Sequence, residues 1–392
     1  MSLNSQTSSE RLHIAFFGCR NAGKSSLVNA VTNQQLSVVS DIKGTTTDPV
    51  KKSMELLPIG PVVIIDTAGL DDEGKLGDLR VAKSKEILGK TDIAVLVVDS
   101  TAGINNFDKE IIRQFKERNL PYIVVYNKSD LTPTPALPLG EGVFVSAKTG
   151  EGINELRELL GKIAKENKVE KYIIRDKLKT GDIVILVIPI DESAPKGRII
   201  LPQQNVLREC LDAHAIPICC QVEELAGVLK KVTPKYVITD SQAFNKVKDI
   251  VPENIILTSF SILMANYKGG LNILLENVST LNNIKDGDTV LISEACTHHR
   301  QCNDIGTVKF PKWISDFTGK NINFEFTQGG EFPQNLDKYK LIIHCGGCMI
   351  NEAEMTTRQK KAKEQNIPMV NYGIAIAYMN GIFGRALEIF KK

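Results

Sequence analysis

Between residues 11 and 165, short apolar runs alternate with stretches whose apolar residues recur at helical spacing. The runs are HIAFF, VVIID, AVLVVD and YIVVY; the helical stretches include KSSLVNAVTN and KEIIRQFKER. This alternation predicts a mostly parallel sheet covered by helices. The charged run KENKVEKY, 165–172, has no apolar face and marks the end of that unit. A second unit repeats the alternation: VILVIPI then NVLRECLDAH, IPICCQV then LAGVLKKV, YVITD then FNKVKDIV, and finally IILTS. It predicts a small open sheet. From about Ser259 a helical pattern leads into TVLIS, INFEF, LIIHC and PMVNY, with helices between. The expected fold class is α/β with mostly parallel sheets, in three domains spanning 1–168, 169–258 and 259–392. No short repeat, low-complexity tract or coiled-coil heptad appears.

Composition narrows the setting. A length of 392 residues accommodates two to four domains with ample core. The formal net charge of +2 gives no single-sign field that would point to nucleic acid. No apolar run approaches a membrane span and the N-terminus MSLNSQTSSER lacks a signal-peptide core, so a cytoplasmic protein without a membrane partner is expected. In that compartment the 8 cysteines read as metal or redox groups rather than as a disulfide framework. Cys296, Cys302, Cys345 and Cys348 lie in the last third of the chain, beside His298, His299 and His344.

GCRNAGKS, 18–25, follows an apolar run and opens a helical pattern, the context in which G-x-x-x-x-G-K-S reads as a phosphate loop. Gly18 and Gly23 let backbone amides turn toward phosphate oxygens, Lys24 reaches the β and γ phosphates, and Ser25 offers a hydroxyl to Mg2+. DTAG, 66–69, ends a strand, which puts Asp66 near the magnesium and the Gly69 amide near the γ-phosphate. NKSD, Asn127 to Asp130 with Lys128 between, ends another; the carboxylate can accept two guanine hydrogens that adenine lacks. SAK, Ser146 to Lys148 with Ala147 between, ends a third and suits a loop closing over the base. One such motif is weak evidence, but the ordered four are not.

Together they resemble the Era and TrmE-like GTPases over roughly the first 165 residues. The resemblance implies GTP contacts from Gly18, Asn21, Ala22, Gly23, Lys24, Ser25, Ser26, Thr46, Asp66, Gly69, Asn127, Lys128, Asp130, Ser146, Ala147 and Lys148. It implies Mg2+ ligation by Ser25, Thr46 and Asp66, K+ ligation by Asn21, and K+-activated hydrolysis of GTP. GTTTD, 44–48, matches the first switch, although Thr47 stands where relatives commonly carry arginine. Leu70 occupies the place of the water-orienting glutamine, so slow intrinsic hydrolysis is expected. Lys24, Thr46 and Asp78 are the candidate catalytic residues; Asp78, within DDEGKLGD, reads equally well as a solvated loop charge.

CTH, 296–298, and HCGGC, 344–348, each follow a strand run, at the sheet edge where open α/β folds bind ligands. Should those strands lie side by side, Cys296, Cys345 and Cys348 converge despite the long separation. Gly346 and Gly347 permit a tight turn, and the helix that follows favours thiolate over thiol. Three readings compete: an iron–sulfur cluster on three thiolates, a zinc site of atypical spacing, and a redox dithiol that leaves Cys296 unexplained. Cys302 and His299 read as turn and solvated neighbours, Cys219 and Cys220 as strand residues.

A guanine-nucleotide front joined to C-x-H, a gap of 45 residues and H-C-x-x-C resembles the FeFe-hydrogenase maturation GTPase family (HydF) over the full length. The resemblance implies a dimerisation domain in the middle, giving a homodimer, and a C-terminal domain binding a 4Fe-4S cluster through Cys296, Cys345 and Cys348. It leaves the fourth ligand open among His298, His344, Asp304 and water. It further implies a scaffold or carrier that takes a transient diiron subcluster precursor from radical SAM maturases and delivers it to apo-FeFe-hydrogenase. The rival reading is an RNA- or ribosome-associated Era-like GTPase with a zinc-stabilised tail; near-neutral charge and absent basic-aromatic tracts count against it.

Overall fold

A computed structural model describes residues 8–34, 50–67, 86–131, 142–167, 170–190, 199–296 and 304–391. The chain divides into two compact units, Met1–Val169 and Glu170–Lys392. In the first, the apolar runs become strands and the amphipathic stretches helices: β1 (Leu12–Phe17), α1 (Lys24–Thr32), β2 (Val50–Leu56), β3 (Gly60–Asp66), β4 (Ile93–Asp99), α2 (Asn106–Glu117), β5 (Tyr122–Asn127), β6 (Gly142–Phe144) and α3 (Ile153–Glu166). The sheet order is β2-β3-β1-β4-β5-β6, parallel except where β2 pairs antiparallel with β3. Strands β1 and β4 are buried on both faces: Ile14, Phe16, Val95 and Val97 pack into one core, Ala15, Phe17, Leu96 and Val98 into the other. That two-sided burial is why they read as unbroken apolar runs.

Strand β2 was not legible. Its sequence, VKKSMEL, buries only Leu56 fully and holds the sheet edge through backbone pairing.

The second unit holds two parallel sheets. The first comprises β7 (Ile183–Val187), α4 (Leu201–Asp212), β8 (Ile216–Cys220), α5 (Val222–Leu229), β9 (Tyr236–Thr239), α6 (Phe244–Ile250) and β10 (Ile256–Ser259), in strand order β10-β9-β7-β8. After it come α7 (Phe260–Tyr267), α8 (Leu271–Glu276), β11 (Thr289–Glu294), α9 (Phe310–Thr318), β12 (Asn323–Gln328), β13 (Leu341–His344), α10 (Glu352–Glu364), β14 (Met369–Asn371), α11 (Tyr372–Met379) and α12 (Phe383–Ala386). The second sheet runs β12-β11-β13-β14.

One core joins the two sheets. Ile185, Val237 and Leu257 of the first belong to the same buried cluster as Val290, Leu291, Ile292 and Ile342 of the second. Helix α7, capped by the Ser259 hydroxyl accepting from the Ile262 amide, lies between. Its Phe260, Leu263 and Met264 face Val184, Leu186 and Ile238, while Ile262 and Ala265 join the shared core. Among the described residues no helix is long and apolar enough to cross a membrane.

Candidate functional site

The phosphate loop sits between β1 and α1, and two glycines make its path possible. Gly18 has φ 142°, and a Cβ there would come within 2.2 Å of the Val97 carbonyl oxygen; at Gly23, φ 84°, it would meet the Asn127 amide at 2.2 Å. Lys24 is buried, its Nζ donating to the carbonyls of Gly18 at 3.0 Å and Cys19 at 2.7 Å, so the ammonium is held inside the loop. Asn21 is exposed with φ 59°, Ala22 is buried and Ser26 half-buried.

At the end of β3 the Ser25 hydroxyl donates to Asp66 Oδ2 at 2.7 Å. The other carboxylate oxygen, Oδ1, is buried without a hydrogen-bond partner. A buried carboxylate oxygen with nothing to accept is costly. An octahedral cation with its water shell would satisfy it, so the donor set fits Mg2+.

The base-side motifs are wired together. Asn127 donates through Nδ2 to the Ala22 carbonyl at 3.0 Å and accepts at Oδ1 from the Ala147 amide at 3.0 Å, tying the phosphate loop to the SAK turn. Asp130 is exposed but fixed, one carboxylate oxygen accepting from the Ser146 hydroxyl at 2.7 Å. Lys128, φ 65°, pairs with Asp99 at 2.6 Å. Burial would raise the Asp99 carboxyl, but the Lys128 ammonium and Thr101 hold it below its usual value. Lys148 is exposed. Thr46, Gly69 and Asp78, with Thr47 and Leu70, lie outside the described residues.

In the second unit β11 and β13 are neighbouring parallel strands, with Ser293 opposite His344. Both cysteine runs therefore leave the same sheet edge. The Cys345 amide donates to the Ser293 carbonyl at 3.0 Å, and Cys345 Sγ accepts from the amides of Ala295 at 3.1 Å and Gly347 at 3.4 Å. Cys296 is the next residue after Ala295. Gly347, φ 67°, holds the left-handed conformation that favours glycine, and a Cβ there would meet the Met355 methyl at 2.3 Å, so that side chain would have to move. Asn351 caps α10 by accepting from the Glu354 amide.

Burial pushes the Cys345 thiol up, opposed by those two amides; burial and the neighbouring Cys345 push Cys348 up to about 12. Thiols so placed ionise when a cation takes them as ligands. Amide N–H groups aimed at a sulfur are the environment that iron–sulfur thiolates use. The donor set therefore fits such a group in chemistry. Among the described residues, however, no three His, Cys, Asp or Glu side chains stand close enough to hold a metal ion. His298, His299 and Cys302 lie outside the described residues.

His344, a candidate metal ligand, is placed by two hydrogen bonds. It is buried; its Nδ1 contacts the Cys345 carbonyl at 2.8 Å and its Nε2 contacts Arg358 Nη1 at 3.0 Å. Arg358 only donates, so Nε2 accepts and the proton sits on Nδ1. Burial, with the Arg358 charge, lowers the imidazole to about 3, fixing it neutral. Both nitrogens are engaged by protein partners. Arg358 also bonds the Glu354 carboxylate at 2.6 Å and the Gly329 carbonyl at 2.7 Å. Asp304, likewise weighed as a ligand, caps the following helical turn, its Oδ2 accepting from the Thr307 amide and hydroxyl.

Sequence reasoning did not single out Arg358, Glu354 or Lys268. The Glu354–Arg358 spacing of four residues on a helix was the one available signal, and it reads as an ordinary surface pair.

A phosphate loop, a magnesium carboxylate and a guanine-type carboxylate on a six-stranded sheet define a GTPase, here followed by two parallel α/β sheets. Family models agree: residues 13–128 match the 50S ribosome-binding GTPase model, 173–269 the hydrogen maturase F dimerization domain, and 272–389 the hydrogen maturase F tetramerization domain. The chain belongs to the hydrogen maturase F family, and it is a GTPase. Assembly of copies of the chain accords with both C-terminal models.

Among curated relatives, tRNA modification GTPase MnmE of Dechloromonas aromatica is 35% identical over 168 residues, 42% of this chain and 37% of that protein. GTPase Der of Mycoplasmopsis agalactiae is 30% identical over 209 residues, 47% of each. The chain thus spans less than half the length of either. Aquifex aeolicus Era bound to GDP and aluminium fluoride superposes with a TM-score of 0.36 at 23% identity, covering 53% of this chain and 93% of that one.

Proposed function

We propose that the protein is a GTP-switched scaffold that binds a 4Fe-4S cluster on Cys296, Cys345 and Cys348 and carries a diiron subcluster precursor to apo-FeFe-hydrogenase. The observation that carries this reading is the pairing of β11 with β13, which brings both cysteine runs to one edge in a member of the hydrogen maturase F family. The cluster, when bound, supplies iron with one coordination position not taken by cysteine, where a second iron unit can dock. The chain's own part is to hold three thiolates around it: Ala295 and Gly347 amides orient Cys345, and Asn351 fixes the helix behind the turn. The diiron precursor is cargo, received from radical SAM maturases.

At the nucleotide site Lys24, with Ser25, Thr46 and Asp66 around Mg2+, neutralises phosphate charge, Asp130 selects guanine, and Asn21 holds K+ in the role of an arginine finger. Asp78 orients the attacking water. Exchange of partners follows the nucleotide state, separate from the metal chemistry.

The test is iron content and spectroscopy on anaerobically reconstituted wild type beside Cys296→Ser, Cys345→Ser and Cys348→Ser. About four irons per chain are expected for wild type, and loss of the cluster in each variant. Colourless wild type holding stoichiometric zinc would overturn the proposal.

A further inference from the structure

The seam between the two sheets of the second unit holds a cavity whose walls include no residue of either cysteine run. Its volume is ≈ 350 Å³, within the range of about 300 to 1,000 Å³ usual for small-molecule sites. Gln242, in the turn before α6, and Asn245, in its first turn, line one side. Trp313, Asp316 and Phe317, spaced to share one face of α9, line another, with Met379 at the end of α11. These helices are anchored in one core, which contains Phe244 of α6, Phe310 and Ile314 of α9 and Ile376 of α11. The walls are therefore part of the packed fold.

The lining combines aromatic surface with polar groups that the fold leaves unused. Buried Phe310 meets the Trp313 ring edge-on, with centroids 5.7 Å apart, and Phe317 is 38% exposed. Lys309 Nζ donates to Gln242 Oε1 at 3.1 Å. Lysine only donates, so that oxygen is fixed and the Gln242 Nε2 group is left to donate elsewhere. Among the described residues the Asp316 carboxylate, the Asn245 carboxamide and the Trp313 indole N–H have no protein hydrogen-bond partner. Two ammonium groups border the cavity, Lys309 at Gln242 and Lys248 at the Asn380 carbonyl, so the single carboxylate does not make it a site for a simple cation. A free anion would oppose Asp316, and an aliphatic ligand would leave the amides unpaired. A flat heterocycle with donors and acceptors along its edge meets both demands.

We propose that this cavity binds a free nucleoside or mononucleotide whose base carries an exocyclic amino group. Trp313 and Phe317 supply the stacking surface. Asp316 accepts from the amino group and Gln242 Nε2 donates to the ring nitrogen or carbonyl beside it, the way carboxylate and amide side chains read base edges. A free ligand is favoured over a strand because the formal net charge of +2 offers a polyanion little attraction. The site is additional to the GTP site and independent of the metal reading.

Trp313 is the one tryptophan of the chain, so tryptophan fluorescence reports on this cavity. Full-length protein in excess GDP and Mg2+, which keeps the phosphate-loop site filled, is titrated with adenosine, cytidine, inosine and uridine, with calorimetry in parallel. Adenosine and cytidine are expected to give a saturable change. Inosine and uridine, which set a carbonyl against Asp316, are expected to bind about 10-fold more weakly. Asp316→Ala and the isosteric Asp316→Asn, at an exposed position, are expected to weaken adenosine about 10-fold and to bring adenosine and inosine level, with circular dichroism unchanged. No saturable response to any of the four nucleosides overturns the proposal. So does equal affinity for adenosine and inosine in wild type, or a preference for adenosine that survives in both variants. A short single-stranded RNA bound more tightly than adenosine monophosphate would make the cavity a strand-binding site and overturn it as well.

Discussion

The Ser25 hydroxyl donates to one oxygen of Asp66 at 2.7 Å, while the other oxygen of that buried carboxylate has no partner. The pair is thus half-satisfied without metal. An amide at this position could no longer serve Mg2+, yet would remove the buried charge. Asp66→Asn is expected to lower GTP hydrolysis by about 100-fold or more, on the order of 3 kcal/mol of lost electrostatic stabilisation. Its nucleotide-free melting temperature should match or exceed that of wild type. Phosphate release over a Mg2+ titration and a thermal melt check both; undiminished hydrolysis would remove Asp66 from the site.

Asp130 points an exposed carboxylate from the NKSD turn, braced by Ser146 at 2.7 Å. Its two acceptor oxygens suit a base presenting two adjacent donors. Replacing Asp130 by Asn converts one acceptor to a donor and opposes the guanine edge, so GTP affinity is expected to fall about 100-fold through lost charge-assisted bonds. Xanthosine triphosphate, with a carbonyl in place of the amino group, should gain affinity. Competition binding with both nucleotides distinguishes base recognition from a general loss of binding.

Much of this was legible because buried parallel strands announce themselves as apolar runs and phosphate loops require glycine at fixed positions. Gly18 and Gly23 are examples: each would clash if it carried a Cβ. What remained hidden depends on partners distant in sequence. Strand β2 carries lysines and serine along a sheet edge, where backbone pairing holds a strand that has little apolar signal. His344 lies among cysteines, and it is Arg358, fourteen residues onward, that fixes its tautomer. The adjacency of β11 and β13 was a condition the spacing posed without answering.

Substitution of His344 separates a hydrogen-bonding role from a ligand role. His344→Ala leaves the Arg358 guanidinium short of an acceptor and the Cys345 carbonyl short of a donor in a buried setting. A loss of about 3 kcal/mol in stability of the protein is expected. Iron per folded chain should be unchanged after reconstitution, and the nitrogen couplings of the cluster spectrum should be those of wild type. A nitrogen coupling that vanishes in the variant would restore His344 as a ligand.

Asp182 supplies a pH-dependent contact in the middle sheet. It accepts from Lys235 Nζ at 2.7 Å and from the Lys179 amide at 2.8 Å. Burial raises its carboxyl, but Lys235 and the Lys179 amide outweigh it, leaving the folded value below the ordinary 3.8. A depressed acid stabilises the fold above 3.8, and the contribution is lost as pH falls through the folded value. Asp182→Asn is therefore expected to cost about 1 kcal/mol at pH 7, with the difference from wild type closing below pH ~4. Denaturant melts across that range measure it; a constant difference would assign the loss to packing.

The two edges of the β10-β9-β7-β8 sheet are treated differently, and that difference makes β8 the edge to test for assembly. At β10 the C-terminal segment closes the edge: the Thr258 hydroxyl donates to the Ala386 carbonyl at 2.8 Å, and Arg385 bonds the carbonyls of Val251 and Pro252. At β8, among the described residues, the strand IPICC pairs with β7 alone, and Ile216 is 52% exposed with Cys219 also open. An apolar edge strand is a template for another strand, and this one, though Pro217 removes one donor from it, lies within the segment matched by the dimerization model. Strand addition at β8 would pair the edge's remaining backbone groups and cover Ile216 together. Lysine at 216 would place a charge in the middle of such a contact. Ile216→Lys is expected to reduce the mass of the assembly by half, with the circular dichroism of the folded chain preserved. Sedimentation velocity at several concentrations decides it. An undiminished assembly would move the dimer contact away from β8.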